Sequence, residues 1–110
     1  MGYPVSAQAA VTNLSTAEAW YVTLLGRQPD ERPMDGLLEW HVTAGGGVQV
    51  WVDPERAGRS TLLLATDDLD GTAARLTAAG LPLDGPERGG AARLLRLADP
   101  DGNRVVVVGP

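Results

Sequence analysis

The second half of this chain repeats the first. Leu14 falls on Leu69, Gly26 on Gly80 and Gln49 on Val106, at offsets of 55, 54 and 57 residues. A near-constant offset over three landmarks is the mark of an internal duplication. Each half must then be one supersecondary unit. A unit with one helix on one sheet covers only one sheet face, so the other must be buried or must line a cavity.

The local signals give each half the order β-α-β-β-β. Val5 to Val11 reads as a strand of small residues. Asn13, Ser15 or Thr16 can cap a helix, with Glu18 suited to its first turn. Ala17, Trp20, Tyr21, Leu24 and Leu25 give that helix one apolar face, and Gly26 ends it. On this reading Trp20 lies in the core and the Tyr21 hydroxyl reaches solvent. Pro29 to Pro33 allows only a short edge strand. Leu37 to Thr43 is a strand, residues 44–47 a turn and Val48 to Val52 the returning strand. The segment 53–59 is a linker. Thr61 to Thr66, a helix capped by Asp67 or Asp68 and ended by Gly80, and a Pro-interrupted stretch from Leu81 to Arg88 repeat the order. Arg93 to Leu97, the turn Asp99-Pro100-Asp101-Gly102 and Val105 to Val108 close it as a β-hairpin.

At 110 residues the chain has the length of a single domain, residues 1–110, with modules at about 5–52 and 60–108. It contains no cysteine, which excludes disulfides, thiolate-bound zinc and a thiol nucleophile. Nine arginines and no lysine in a chain of net charge −5 form no basic stripe, so nucleic acid is not an expected partner. No apolar run reaches the ~20 residues of a membrane span. The first residues lack a basic n-region, which predicts a cytoplasmic protein. The absence of Lys, Ile, Phe and Cys suits a high-GC bacterial coding sequence.

Four stretches together resemble the vicinal oxygen chelate superfamily, which includes glyoxalase I, extradiol dioxygenases and bleomycin-resistance proteins. They are Asn13-Leu14-Ser15-Thr16, Trp20-Tyr21 with Leu24-Leu25-Gly26, Asp67-Asp68-Leu69-Asp70 with Ala78-Ala79-Gly80, and Asp99-Pro100-Asp101-Gly102-Asn103. The resemblance implies an α+β fold in which two βαβββ modules form a curved mixed sheet around a cleft. It also implies a homodimer, since a second chain commonly covers the open edges. In the family's metalloenzymes, ligands sit on the first and last strand of each half. By this resemblance the positions here are Ser6, Thr61, Gln49 and Val106, and only the Gln49 amide oxygen could act as a donor. No metal and no cofactor are expected.

Alternation along the strands sorts the remaining candidates. Leu38, Trp40 and Val42, with Val48, Val50 and Val52, form apolar rows that belong under the helix. Glu39, His41, Gln49 and Trp51 then face the cleft, with Gln8 on the first strand. The matching row of the second half, Leu63 with Val106 and Val108, is apolar. The cleft should thus have one polar and one greasy wall. Arg93 and Arg96 must point to opposite faces of their strand. Trp51 could stack a flat ligand, or plug the cleft or a dimer contact. His41 could be a satisfied strand residue, or an acid or base acting with Glu39. The triple glycine at 45–47 lacks the following helix and lysine of a phosphate loop.

The first functional reading is a metal-free protein of the bleomycin-resistance type that binds a small organic ligand such as an aromatic natural product, sequestering a drug. Its binding residues would be Gln8, Glu39, His41, Gln49, Trp51, Leu63 and Val106. The alternatives are a metal-free isomerase, cyclase or lyase using Glu39 and His41, and a non-catalytic interaction domain. A metal-dependent glyoxalase or dioxygenase is not expected.

Overall fold

A computed structural model describes residues 2–110. The order is β1 (Val5–Val11), α1 (Leu14–Leu25), β2 (Glu31–Met34), β3 (Leu37–Thr43), β4 (Gly46–Val52), β5 (Thr61–Ala65), α2 (Leu69–Ala78), β6 (Glu87–Gly89), β7 (Ala92–Ala98) and β8 (Arg104–Gly109). These form two four-stranded mixed sheets, ordered β1-β4-β3-β2 and β5-β8-β7-β6. In each, the first strand runs parallel to the last and the other pairings are antiparallel. The fold is the expected pair of βαβββ modules, and no sheet closes into a barrel.

The helix boundaries follow from side-chain capping. Asn13 Oδ1 accepts the Thr16 N–H at 2.9 Å, and Asp68 Oδ1 accepts that of Gly71 at 2.9 Å. Gly26 takes the left-handed conformation, φ 75°, and donates its N–H to the Val22 carbonyl. Glu18 lies beyond the first turn of α1 and instead pairs with Arg32 across to β2.

One strand boundary differs from the sequence expectation. Gly46 and Gly47 belong to β4, not to the turn before it. A Cβ on Gly46 would lie 1.7 Å from the Val5 carbonyl oxygen, and one on Gly47 1.9 Å from that of Trp40. These glycines allow β4 to run between β1 and β3 without a clash.

The apolar rows pack as expected at their centres. Leu38, Trp40, Val48 and Val50 are buried beneath α1, whereas Val42 and Val52, at the strand ends, stay partly exposed. The Trp40 indole N–H donates to the Arg27 carbonyl at 2.9 Å, and its ring centre lies 6.2 Å from that of Tyr21. One continuous core joins these residues to Leu62, Leu69, Leu76, Leu95, Val105 and Val107 of the second module.

Polar contacts fasten the modules along the seam between β1 and β5. Asn103, fully buried, donates to the Ala10 carbonyl at 2.8 Å and to Asp99 Oδ2 at 2.7 Å, and accepts the Ser60 N–H at 2.8 Å. Ser60 Oγ accepts the Ala10 N–H, and Asp101 accepts both the N–H and the hydroxyl of Thr12. On the helix side, the Arg75 guanidinium donates to the Thr23 and Leu24 carbonyls, closing the C-terminus of α1 from α2.

Tyr21 departs from its expected place. Its side chain is fully buried, and its hydroxyl donates to Asp99 Oδ2 at 2.8 Å instead of reaching solvent. The helix brings Tyr21 over the closing turn of the other module, where an aspartate stands ready to accept. Trp20, placed in the core from sequence, is only partly buried against Tyr21.

Burial, the hydrogen bond to Asp99 and that carboxylate's charge all push the Tyr21 phenol far above its ordinary value of 10.0. A group raised in the folded state contributes stability below its unfolded pKa and loses it as pH rises. Urea unfolding should therefore show stability falling above about pH 10, a loss that Tyr21→Phe removes. At neutral pH Tyr21→Phe should cost about 1–3 kcal/mol, because the buried Asp99 loses a donor. Asn103→Ala should cost more, since it leaves Ser60, Ala10 and Asp99 each short of a partner.

Candidate functional site

The faces turned away from the two helices carry the candidate residues, and strand register arranges them in lines. Across the first sheet Gln8 pairs with Gln49, Gln49 with Glu39 and Glu39 with Glu31. These four make a polar line over all four strands, in which Gln8 Nε2 donates to Gln49 Oε1 at 2.8 Å. The neighbouring line is Ala10, Trp51, Leu37 and Met34, which is apolar throughout. Gln8, Gln49, Trp51, Leu37 and Met34 border a hollow of about 350 Å³. Its size is within the range of small-molecule sites.

Trp51 is half-buried, flanked by Ala10 and Leu37, and Trp40 lies on the opposite face under α1. Among the described residues the paired rings are Trp20 with Tyr21, edge-on, and Tyr21 with Trp40, tilted, so no second ring covers Trp51. His41 stands beside the polar line. Its Nε2 is 3.1 Å from Glu31 Oε2 and 3.8 Å from Glu39 Oε1. Its backbone is held on both sides: the N–H donates to Asp30 Oδ2 at 2.6 Å, and the carbonyl accepts from Arg27. The His41 N–H, foremost, and Arg27 hold the exposed Asp30 carboxyl below the usual carboxylate range.

The second module has the corresponding lines. Leu63 pairs with Val106 and Val106 with Arg96; Thr61 pairs with Arg104 and Arg104 with Ala98. This wall is not uniformly greasy. Arg96 and Arg104 share the face with Leu63 and Val106, because Arg104 lies two residues before Val106 on β8 and Arg96 is the register partner of Val106 on β7. Arg93 points the other way and joins Asp70 on α2 at 2.7 Å, so Arg96 faces the open side. Arg96 contacts Glu87 at 2.7 Å. A hollow of about 570 Å³ lies here, bordered by Leu83, Asp84, Arg96, Arg104 and Val106. In the internal repeat Arg96 stands where Glu39 stands in the first module, since Val106 corresponds to Gln49 and each is its partner's neighbour. The seven candidates thus fall on the open faces, five on the first sheet and Leu63 with Val106 on the second. Glu31, Arg96 and Arg104 join them there. The sequence signal for Glu31 was a carboxylate within a Pro-interrupted edge segment, and the β2 register is irregular there.

The positions that the family resemblance marks for metal hold Ser6, Gln49, Thr61 and Val106. The Gln49 amide oxygen already accepts from Gln8. Their partners across the parallel strand pairs, Gln8 for Gln49 and Leu63 for Val106, supply neither carboxylate nor imidazole, and Glu39 on β3 is the one carboxylate paired with any of the four. This donor set does not fit a hard or borderline divalent ion.

Comparison with known proteins agrees with this architecture. A glyoxalase-like domain model matches residues 6–108. No curated protein matches the sequence. A glyoxalase/bleomycin resistance protein from Catenulispora acidiphila superposes with a TM-score of 0.90 at 26% identity, covering 99% of each chain. TnmS3, an antibiotic binding protein from a Streptomyces species, superposes at 0.81 and 26% identity, over 100% of this chain and 97% of its own. A lactoylglutathione lyase from Agrobacterium tumefaciens shares the fold at 0.76 and 19% identity, over 96% of this chain and 91% of its own.

The three tryptophans give a direct check on these faces. Trp51→Phe should remove a large part of the emission that acrylamide quenches, whereas Trp40→Phe should leave it unchanged. Loss from Trp40→Phe with none from Trp51→Phe would mean that the faces are reversed.

Proposed function

The chain belongs to the glyoxalase-like domain family, and we propose that it binds a small organic ligand on the open faces of its sheets without metal chemistry. The observation that carries this reading is Trp51. It is a half-buried indole with no stacking partner among the described residues, set in an apolar line and bordered by amide and carboxylate groups. Such a surface suits a flat, amphipathic molecule that stacks on the ring and hydrogen-bonds along Gln8, Gln49 and Glu39. The likeness to an antibiotic-binding protein over the full chain supports an aromatic natural product as the ligand class and drug sequestration as the role. The misfit of Ser6, Gln49, Thr61 and Val106 to a metal supports binding without an ion at the cleft centre.

The proposal includes a bacterial, cytoplasmic setting and a homodimer of C₂ symmetry. The outer edge strands support the dimer, because every residue of β2 and β6 is exposed there. Sedimentation showing only an 11.5 kDa species at micromolar concentration would remove the dimer. A second reading, acid–base catalysis by Glu39 and His41, draws on the carboxylates beside the imidazole. In that case His41→Ala would abolish turnover while ligand binding survived.

A thermal-shift screen of natural-product antibiotics tests the binding reading. At least one compound should raise Tm and quench tryptophan emission. Trp51→Ala should then weaken its binding by about tenfold or more. Undiminished binding by Trp51→Ala would place the ligand elsewhere.

A further inference from the structure

We propose that Glu31, Glu39 and His41 form a divalent-cation site of the zinc class at the rim of the first sheet, on residues other than the four positions that the family resemblance marks for metal. Glu31 and Glu39 are directly opposed on β2 and β3, so two carboxylates share one face. Like charges in that relation repel unless a cation lies between them. The chain contains no lysine, and the nearby arginines are engaged elsewhere: Arg27 with Asp30 and the His41 carbonyl, Arg32 with Glu18. Among the described residues, His41 is the sole side chain that answers both carboxylates.

The spacing suits an ion. One donor atom from each residue can be chosen so that all lie within 4.8 Å of one another. The imidazole-to-carboxylate distances are 3.1 and 3.8 Å. Donors bound tetrahedrally at zinc's usual 2.0–2.1 Å stand about 3.3 Å apart, so small side-chain rotations complete the set. Two carboxylate oxygens and one imidazole nitrogen are borderline-to-hard donors, which favours zinc and its first-row neighbours over soft ions. Asp30 and Arg27 fix the strand that presents His41. A hollow of about 430 Å³, bordered by Ser6, Glu39 and His41, gives the ion access.

His41 is the chain's only histidine, so its ring resonances report on the site directly. Untagged protein stripped with chelator should bind one equivalent of Zn²⁺, with the His41 ring signals moving to saturation. His41→Ala should abolish this binding. Glu31→Gln and Glu39→Gln should each weaken it by at least about tenfold, and Glu55→Gln, in the exposed linker, should not. Glu31 and His41 are half-exposed, so these variants leave the core intact. Zinc binding that leaves the His41 ring unmoved, or that persists in His41→Ala, would overturn the proposal, as would the absence of binding. The probe is zinc alone, so failure here is separate from failure of the organic-ligand reading.

Discussion

The Asp99 carboxylate holds the two halves of this protein in one arrangement. Only 5% of its surface reaches solvent, and it accepts from the Asp101 and Asn103 backbone, the Asn103 amide and the Tyr21 hydroxyl. A buried charge is tolerable only when such donors surround it. Here the donors come from both modules, so satisfying the carboxylate requires the modules to be docked. Asn103 extends the same logic to Ala10 and Ser60. Among the described residues no buried side-chain polar atom is left without a partner. The sheets themselves contribute no hydrogen-bonded ladder between modules, since β1 and β5 belong to separate sheets. Docking thus depends on the closing turn, the Arg75 cap and the shared apolar core.

With the helix faces committed to that core, the open faces are free to differ. The register of β1, β4 and β3 about Gln49 matches that of β5, β8 and β7 about Val106, and Ala10 and Leu37 recur as Ala65 and Leu94, yet the side chains between them diverge. Gln8 and Gln49 correspond to Leu63 and Val106. This is how one scaffold can host many chemistries. The backbone fixes which positions project together, and substitutions there leave the fold unaffected.

Periodicity made the fold legible. Trp40 among valines and leucines two apart could belong only under a helix, and Glu39 and His41 then had to lie opposite. The Asp-Pro-Asp-Gly turn was equally plain. Its second role was hidden, because Asp99 and Asn103 are fully explained by local turn geometry and nothing nearby in sequence announces a buried tyrosine 78 residues away. Glu31 was hidden for a different reason. A four-residue edge strand containing Pro33, with irregular pairing, has no alternation from which to infer a face. Arg96 lay between the two cases. Alternation set it opposite Arg93, but only the ion pair of Arg93 with Asp70 reveals which of the two is turned away from the helix.

Glu39 and Arg96 hold equivalent places in the duplicated halves, with opposite charges. A duplication that kept both would offer a visitor the same environment from either side. This one has lost that indifference. A molecule long enough to touch both places meets an acid at one and a base at the other, and turning it end for end exchanges attraction for repulsion at each. The protein has a two-fold skeleton but a one-way surface.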